Sequence, residues 1–411
     1  MTVGYRLRTF SSHLVLNLPL LAAVSIHTDF EGGRLGKVEQ VAPRRFRLAV
    51  AGESDQDGRN RQANWYYFRV DGAGAEELIL DMVDLPGEYN YKPNRGAVTK
   101  DTPPVISHDG KTWRHVDTFE YDATEPKLRL RIRPSGATFW VAHTPPYTGQ
   151  HLAALRAEAA THPAFREEVI GNSAQGRRLL LWTIGAGGKS MKTAWLLFRQ
   201  HSWESGSSWA GEGAVRRLLA GDAKAKHMRD GVSWKILPMC DPDGVARGGV
   251  RFNVHGYDLN RNWDVRDPEK MPEITAQREA IARWRAAGGT VDLLLSLHNT
   301  ETAEYLEGPP REGAGDFRDL AQRLAAVLER ETSFAPTRAL SFAERTTTPG
   351  KPGRMTVVQG LYRDFGIPGF LMEQRIALNE KLGRRPLAED RLKFGGELVE
   401  AIWKTLAGGG P

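Results

Sequence analysis

The sequence predicts an α/β fold: a mixed, mostly parallel sheet with helices on both faces, preceded by an antiparallel β-sandwich. Three observations predict it. From about Val24 to about Tyr147, short segments alternate apolar and polar residues between Gly, Pro and Asp, the pattern of half-buried antiparallel strands. After Gly149, uniformly apolar runs alternate with amphipathic stretches, the pattern of a parallel sheet covered on both faces. The change falls at TPPYTG, Thr144 to Gly149, which reads as the passage between two units expected over residues 24–148 and 149–407.

In the first unit the strand segments are RFRLAVAG, NWYYFRVDG, EELILDMVD, LRLRIRPSG and TFWVAHT, with a corner at Thr102 to Pro104. In the second, HLAALRAEAATHP reads as a helix, LLLWTIG and TAWLLF as strands, GEGAVRRLLAG as a helix and WKILPMC as a strand. ITAQREAIARWRAAGG (helix), VDLLLSLH (strand), FRDLAQRLAAVLERET (helix), GFLMEQ (strand) and EDRLKFGGELVEAIWKTL (helix) complete the pattern. Ligands of such sheets bind where strands give way to loops. The residues that follow TAWLLF and end VDLLLSLH are therefore candidates for a site.

Composition narrows the function classes. A chain of 411 residues has material for two large cores, and 40% hydrophobic with 26% charged residues is ordinary for a globular protein. The net charge of +6 comes from 56 basic and 50 acidic residues spread along the chain, so a nucleic-acid partner is not expected, while a basic pocket for an acidic substrate fits. Cys240, the single cysteine, can form no intramolecular disulfide and reads as a small buried hydrophobe in WKILPMC. Arg6 and Arg8 precede LVLNLPLLAAVS as in a secretory leader, but Asn17 and Pro19 interrupt it, and a cytoplasmic location is expected. No other apolar run approaches the eighteen residues that cross a bilayer, so no membrane partner is expected.

The chemistry concentrates in RQHSWESGSSW, Arg199 to Trp209, which places His201 and Glu204 at the exit of TAWLLF, with the small residues Ser205 to Ser208 read as keeping the approach to them uncrowded. An isolated H-x-x-E is usually a surface pair or a loop hydrogen bond. A catalytic zinc, however, takes three protein ligands from His and carboxylate and keeps a fourth position for water, and LLLSLHNTE offers His298 as the third from another strand end. Between them lies PMCDPDGVARGGVRFNVHGYDLNRNWD, with Arg251 and the pair Asn260-Arg261. Planar guanidinium groups suit carboxylates, so this segment reads as an anchor for an anionic substrate end or, alternatively, as arginines that brace a long loop.

HSWE, the DPDG segment with Arg251, DLNRNWD, the strand-end His298 and FLMEQR together resemble the M14 zinc carboxypeptidases. FEGGRL, NWYYFRV and PPYTGQHL are similar to the β-sandwich that precedes the catalytic domain in the cytosolic carboxypeptidase branch, and GRMTVVQGLYRDFGIPGFLMEQ is similar to its last catalytic segment. The resemblance spans roughly residues 24 to 405. It implies a zinc carboxypeptidase-like fold, one zinc ion per chain held by His201, Glu204 and His298, and Glu373 as general base and acid. It also implies that Arg251 polarises the scissile carbonyl, that Asn260 and Arg261 hold the terminal carboxylate, and that the substrate is a peptide or protein C-terminus. Arg354 and Lys351, in PGKPGRM, fall in the segment that in this family lines the pocket for the terminal side chain, and read either as a basic pocket that would favour release of an acidic residue or as a solvated basic loop.

Departures from the family pattern are also plain. Asp241 stands where an Asn is usual, and Ser202-Trp203 replaces Pro-Gly, which would bring an indole to the border of the metal. The family's tyrosine on a loop before the base has no counterpart from Thr346 to Gly360, and Tyr362 lies too near Glu373 to take its place. An amidase or deacylase acting on a small or cell-wall peptide would share the same ligands. An inactive module that binds acidic tails would be expected to lack one of them.

Overall fold

The computed structural model describes Met1 and residues 23–89, 92–185, 191–344 and 354–407. The segment Leu14 to Ala22 and Lys351 lie outside the described residues.

The first twelve strands are Ser25–His27 (β1), Val38–Ala42 (β2), Arg45–Ala49 (β3), Tyr67–Asp71 (β4), Leu78–Val83 (β5), Gly87–Tyr89 (β6), Lys92–Asn94 (β7), Val105–Ser107 (β8), Arg114–His115 (β9), Phe119–Asp122 (β10), Lys127–Ile132 (β11) and Phe139–Ala142 (β12). They form two five-stranded sheets, ordered β1-β4-β12-β8-β9 and β10-β11-β5-β3-β2, and a separate β6–β7 hairpin. Alternation does the folding here. In KLRLRI of β11, Leu128, Leu130 and Ile132 are buried between the sheets while Arg129 and Arg131 face out. One pairing departs from the antiparallel expectation: β3 and β5 run parallel, because the chain crosses to the other sheet as β4 before it returns.

After Gly149 come Gly149–Ala159 (α1), Phe165–Asn172 (β13), Arg178–Ile184 (β14), Lys192–Phe198 (β15), Ser205–Leu218 (α2), Ala223–Gly231 (α3), Val232–Leu237 (β16), Pro242–Ala246 (α4) and Pro272–Ala286 (α5). Leu293–Thr300 (β17), Tyr305–Pro310 (β18), Ala314–Glu331 (α6), Ser341–Ala343 (β19), Val357–Phe365 (α7), Gly369–Arg375 (β20) and Ala388–Leu406 (α8) follow. Eight strands make one mixed sheet in the order β13-β14-β16-β15-β17-β20-β18-β19. Its centre, β16-β15-β17-β20, is parallel.

β15 is buried on both faces, as its apolar run requires. Ala194, Leu196 and Phe198 join the core under α2, α3, α6 and α8, whereas Trp195 and Leu197 join the core under α5 and α7. Gly213 and Gly395 let α2 and α8 touch: a Cβ on either would lie 1.9 Å from a carbonyl oxygen of the other helix. The sandwich also packs closely on the loop that follows α4. Gly256 has φ +84°, and a Cβ there would lie 2.5 Å from the backbone nitrogen of Gln56, whose N–H donates to the Gly256 carbonyl at 3.0 Å.

Candidate metal centre and substrate cleft

Three neighbouring parallel strands deliver the site at their C-terminal ends. β15 stops at Phe198, and Arg199 turns the chain with φ +62°, an unfavourable region for a residue with a Cβ. Its guanidinium, 1% exposed, offsets that cost by donating to the carbonyls of Ser202 at 2.9 Å and Tyr147 at 3.2 Å and to Ser208 Oγ at 3.1 Å. The turn carries His201 and Glu204 over the sheet edge. His298 stands on β17, side by side in register with Glu373 on β20.

The sequence reading of SGSS as an open approach to the metal is corrected here. Ser205 to Ser208 form the first turn of α2 and are largely buried; Ser207 Oγ donates to the Glu204 carbonyl at 2.8 Å, and the Ser207 N–H donates to Asn299 at 2.9 Å. Small side chains are needed because the turn is packed under the ligand loop. The indole of Trp203 turns away from the expected border of the metal as well. It is 3% exposed, in an apolar cluster with Trp65, Val105, Trp113 and Val250, and so belongs to the contact with the sandwich.

His201, Glu204 and His298 converge, with ligand atoms within 4.8 Å of one another. Nδ1 of His201 lies 2.7 Å from Glu204 Oε1, Nδ1 of His298 lies 2.9 Å from Oε2, and the two Nδ1 atoms are 3.3 Å apart. The far side of each ring has an acceptor. His201 Nε2 faces Asp258 Oδ1 at 3.1 Å, and His298 Nε2 faces Ser296 Oγ at 2.9 Å and Gln200 Oε1 at 3.2 Å. Protons held on Nε2 leave both Nδ1 lone pairs directed at one point beside a carboxylate. This is the tautomer and the outer support that a zinc site requires, and the donor set fits that ion.

Electrostatics point the same way. Burial pushes the Glu204 carboxyl up, but His201 and His298 beside it outweigh that and hold it at about 2. Burial, and after it the charge of Glu204, pushes Glu373 well above the ordinary carboxyl range, and its Oε2 has no hydrogen-bond partner among the described residues. Glu301, also raised by burial, accepts a hydrogen bond from Asn64 of the sandwich at 2.9 Å. Glu204 and Glu301 both push Glu373 upward, so the three carboxylates disfavour ionising together, and a cation among them would relieve that.

Next to this centre is a cleft lined by Arg251, Asp258, Arg261, Arg354 and, from the N-terminal unit, Asp55, Gln56, Asn60, Gln62 and Tyr89. Arg251 Nε donates to Asp258 Oδ2 at 2.7 Å, which links the guanidinium to the support of His201. Arg261 donates to Tyr89 Oη at 3.2 Å. Asn260 does not line the cleft: its Oδ1 accepts the Val357 N–H at 2.9 Å and its Nδ2 lies 3.3 Å from His298 Nε2. Tyr362 is on α7, where its ring meets Phe317.

Sequence reasoning missed Asp258, Gln200 and Tyr89. Asp258 had a signal, an acidic residue in the DLNRN run between Arg251 and Arg261. Tyr89 had none, since it arrives from the hairpin of the other unit. Arg251 beside it, working against burial, holds its phenol below the ordinary value.

The sequence profile of the zinc carboxypeptidase family matches residues 151–305, and that of the cytosolic carboxypeptidase N-terminal domain matches residues 26–143. The chain is 29% identical over 300 residues to an uncharacterized protein of Zymomonas mobilis, covering 73% of each. It is 28% identical over 271 residues to cytosolic carboxypeptidase 6 of Caenorhabditis elegans, covering 62% of this chain and 58% of that protein. It thus spans little more than half the length of that curated relative. Its fold is similar to that of a metallo-carboxypeptidase from Burkholderia cenocepacia, with a TM-score of 0.78 at 24% identity over 94% of this chain and 99% of that one.

Proposed function

Because the chain belongs to the M14 zinc carboxypeptidases, in their cytosolic carboxypeptidase-like branch, we propose that it is a zinc-dependent carboxypeptidase that hydrolyses the C-terminal bond of peptides or proteins. The observation that carries this reading is the pair of imidazole lone pairs and one carboxylate converging on a point, with Glu373 register-paired to His298 on the next strand. His201, Glu204 and His298 would hold the ion, one per chain. Zinc bound there supplies Lewis acidity toward water and a carbonyl oxygen.

The chain's own residues do the rest. Glu373 takes the proton of the attacking water and returns it to the leaving amine, a task that its raised affinity for a proton suits. Arg251, fixed by Asp258, directs its remaining donors into the cleft, where charge develops on the scissile oxygen. Arg261, with Asn260 behind it, binds the terminal carboxylate. Arg354, on the same cleft wall, favours an acidic terminal side chain. The reading takes residues 149–407 as the catalytic unit, 24–148 as the sandwich unit and the cytoplasm as the location; among the described residues no helix is long and apolar enough to cross a membrane.

The test is a panel of otherwise identical peptides ending in Glu, Leu, Lys or a C-terminal amide, incubated with zinc-loaded protein. Release of free C-terminal residues, fastest for Glu and slowed for Glu by Arg354→Ala, is the expected outcome. Cleavage of the amidated peptide alone would instead indicate an amidase. A Glu preference unchanged in Arg354→Ala would remove that arginine from the specificity pocket.

A further inference from the structure

Among the contacts of the sandwich with the reactive side of the molecule, one is made by a buried carboxylate. Glu53, 7% exposed, stands in a loop of the sandwich, where it exchanges both backbone hydrogen bonds with Gln62 at 2.8 Å. Its Oε2 accepts three successive backbone N–H groups of the other unit, from Val250 at 2.9 Å, Arg251 at 2.5 Å and Phe252 at 2.9 Å. Its Oε1 is ion-paired with Arg247. Successive N–H groups aimed at one point form a concave anion site, and here a side chain of the same chain fills it.

The segment so held touches both arms of the site. Arg251 extends from it to Asp258, which supports His201, and the Val250 carbonyl accepts the N–H of Trp203 at 2.9 Å, one residue before Glu204. If the carboxylate is removed, three buried donors lose their acceptor. Peptide planes then rotate to find others, and the root of the Arg251 side chain turns with them.

We propose that Glu53 is a positioning residue for Arg251, and that the sandwich is thereby a working part of the active site. The proposal rests on the peptidase reading for its kinetic readout but not for its structural one. The experiment is a double-mutant cycle on the zinc-loaded full chain, using Glu53→Ala, Arg251→Ala and both. It reads kcat, KM and zinc content, together with hydrogen exchange of the 250–252 amides. Misplacing a catalytic group by about 1 Å costs on the order of 10²-fold, so Glu53→Ala is expected to lower kcat by about that factor. KM and zinc content should stay near the parent's, and the three amides should exchange faster.

In the Arg251→Ala background the same change should alter kcat by less than about twofold, because a residue that acts through Arg251 has nothing left to position. Glu53→Gln, which keeps one acceptor oxygen, should recover most of the turnover. Where Glu53→Ala yields too little folded protein, Glu53→Asp, which withdraws the carboxylate by one methylene, carries the same cycle. Equal losses in both backgrounds would overturn the proposal, as would unchanged turnover. If the parent releases no C-terminal residue from any peptide, the peptidase reading falls and exchange alone decides. Faster exchange at 250–252 in the variant then upholds the positioning role, and unchanged exchange overturns it.

Discussion

Two ionic clusters lie along one face of β20, two residues apart, and they are wired in opposite ways. Around Arg375, unlike charges alternate and donors meet acceptors. Arg375 Nε and Asn379 Nδ2 donate to Glu304 Oε2 at 3.2 and 3.1 Å, Arg375 Nη2 donates to the Ala335 carbonyl at 3.1 Å, and Arg391 donates to the Arg375 carbonyl at 2.5 Å. Around Glu373, carboxylates crowd one another, one oxygen has no partner among the described residues, and two imidazole nitrogens meet 3.3 Å apart. The first arrangement pairs unlike charges and holds helices to the sheet, although burial pushes the Glu304 carboxyl up to about 7 and its Oε1 has no partner among the described residues. The second gathers like charges that, on the proposed reading, a cation and a substrate would complete, and that sign pattern is what separates a structural cluster from a candidate reactive one on the same strand.

The strongest way to break this comparison is at Glu373. Glu373→Gln keeps the shape but cannot take a proton, so turnover should fall by about 10²- to 10⁴-fold while metal analysis shows zinc retained. Turnover near the parent level would move the base elsewhere. His298→Ala should next remove most of the bound zinc, read by the same metal analysis, with the protein still folded.

On the structural side the effects reverse. Glu304→Ala leaves Arg375 and Arg391 buried without their carboxylate and should cost about 3–5 kcal/mol in urea unfolding, with zinc content unchanged. Loss of zinc in that variant would mean that the two clusters are one.

The smallest effect is expected at Asp241, 0% exposed, whose Oδ1 accepts the Gly244 N–H while Oδ2 has no hydrogen-bond partner among the described residues. Burial pushes its carboxyl up to about 8. A folded value above the unfolded one means that its contribution is fully present below about pH 4, is lost progressively as pH rises, and is gone above about pH 8. Relative to Asp241→Asn, the parent should therefore lose about 2–3 kcal/mol between pH 6 and pH 8. A stability difference that stays flat over that window would show the carboxyl to be ionised throughout.

The parts legible in the sequence were those set by local pattern. His201 and Glu204 are three residues apart on one loop, and His298 ends a short leucine-rich run between turn signals, which reads as a buried strand. β13 escaped because FREEVIGN is charged and mostly exposed at the sheet edge, so it carries neither period clearly. The first turn of α2 escaped because serine and glycine are poor helix formers, and tertiary packing against the ligand loop and α8 overrides that weakness. Glu53 and Tyr89 were out of reach, since each meets its partners across about 170 to 200 residues of chain.

Trp203 has a practical bearing on how the molecule can be watched. Its indole is one residue from Glu204, yet it is sealed in a cluster with Trp65 and Trp113 of the sandwich. Any motion that parts the two units would wet an indole adjoining a ligand of the proposed metal. Such a motion would redden the fluorescence emission of these tryptophans, so the protein carries a built-in optical gauge of how firmly its two halves are joined.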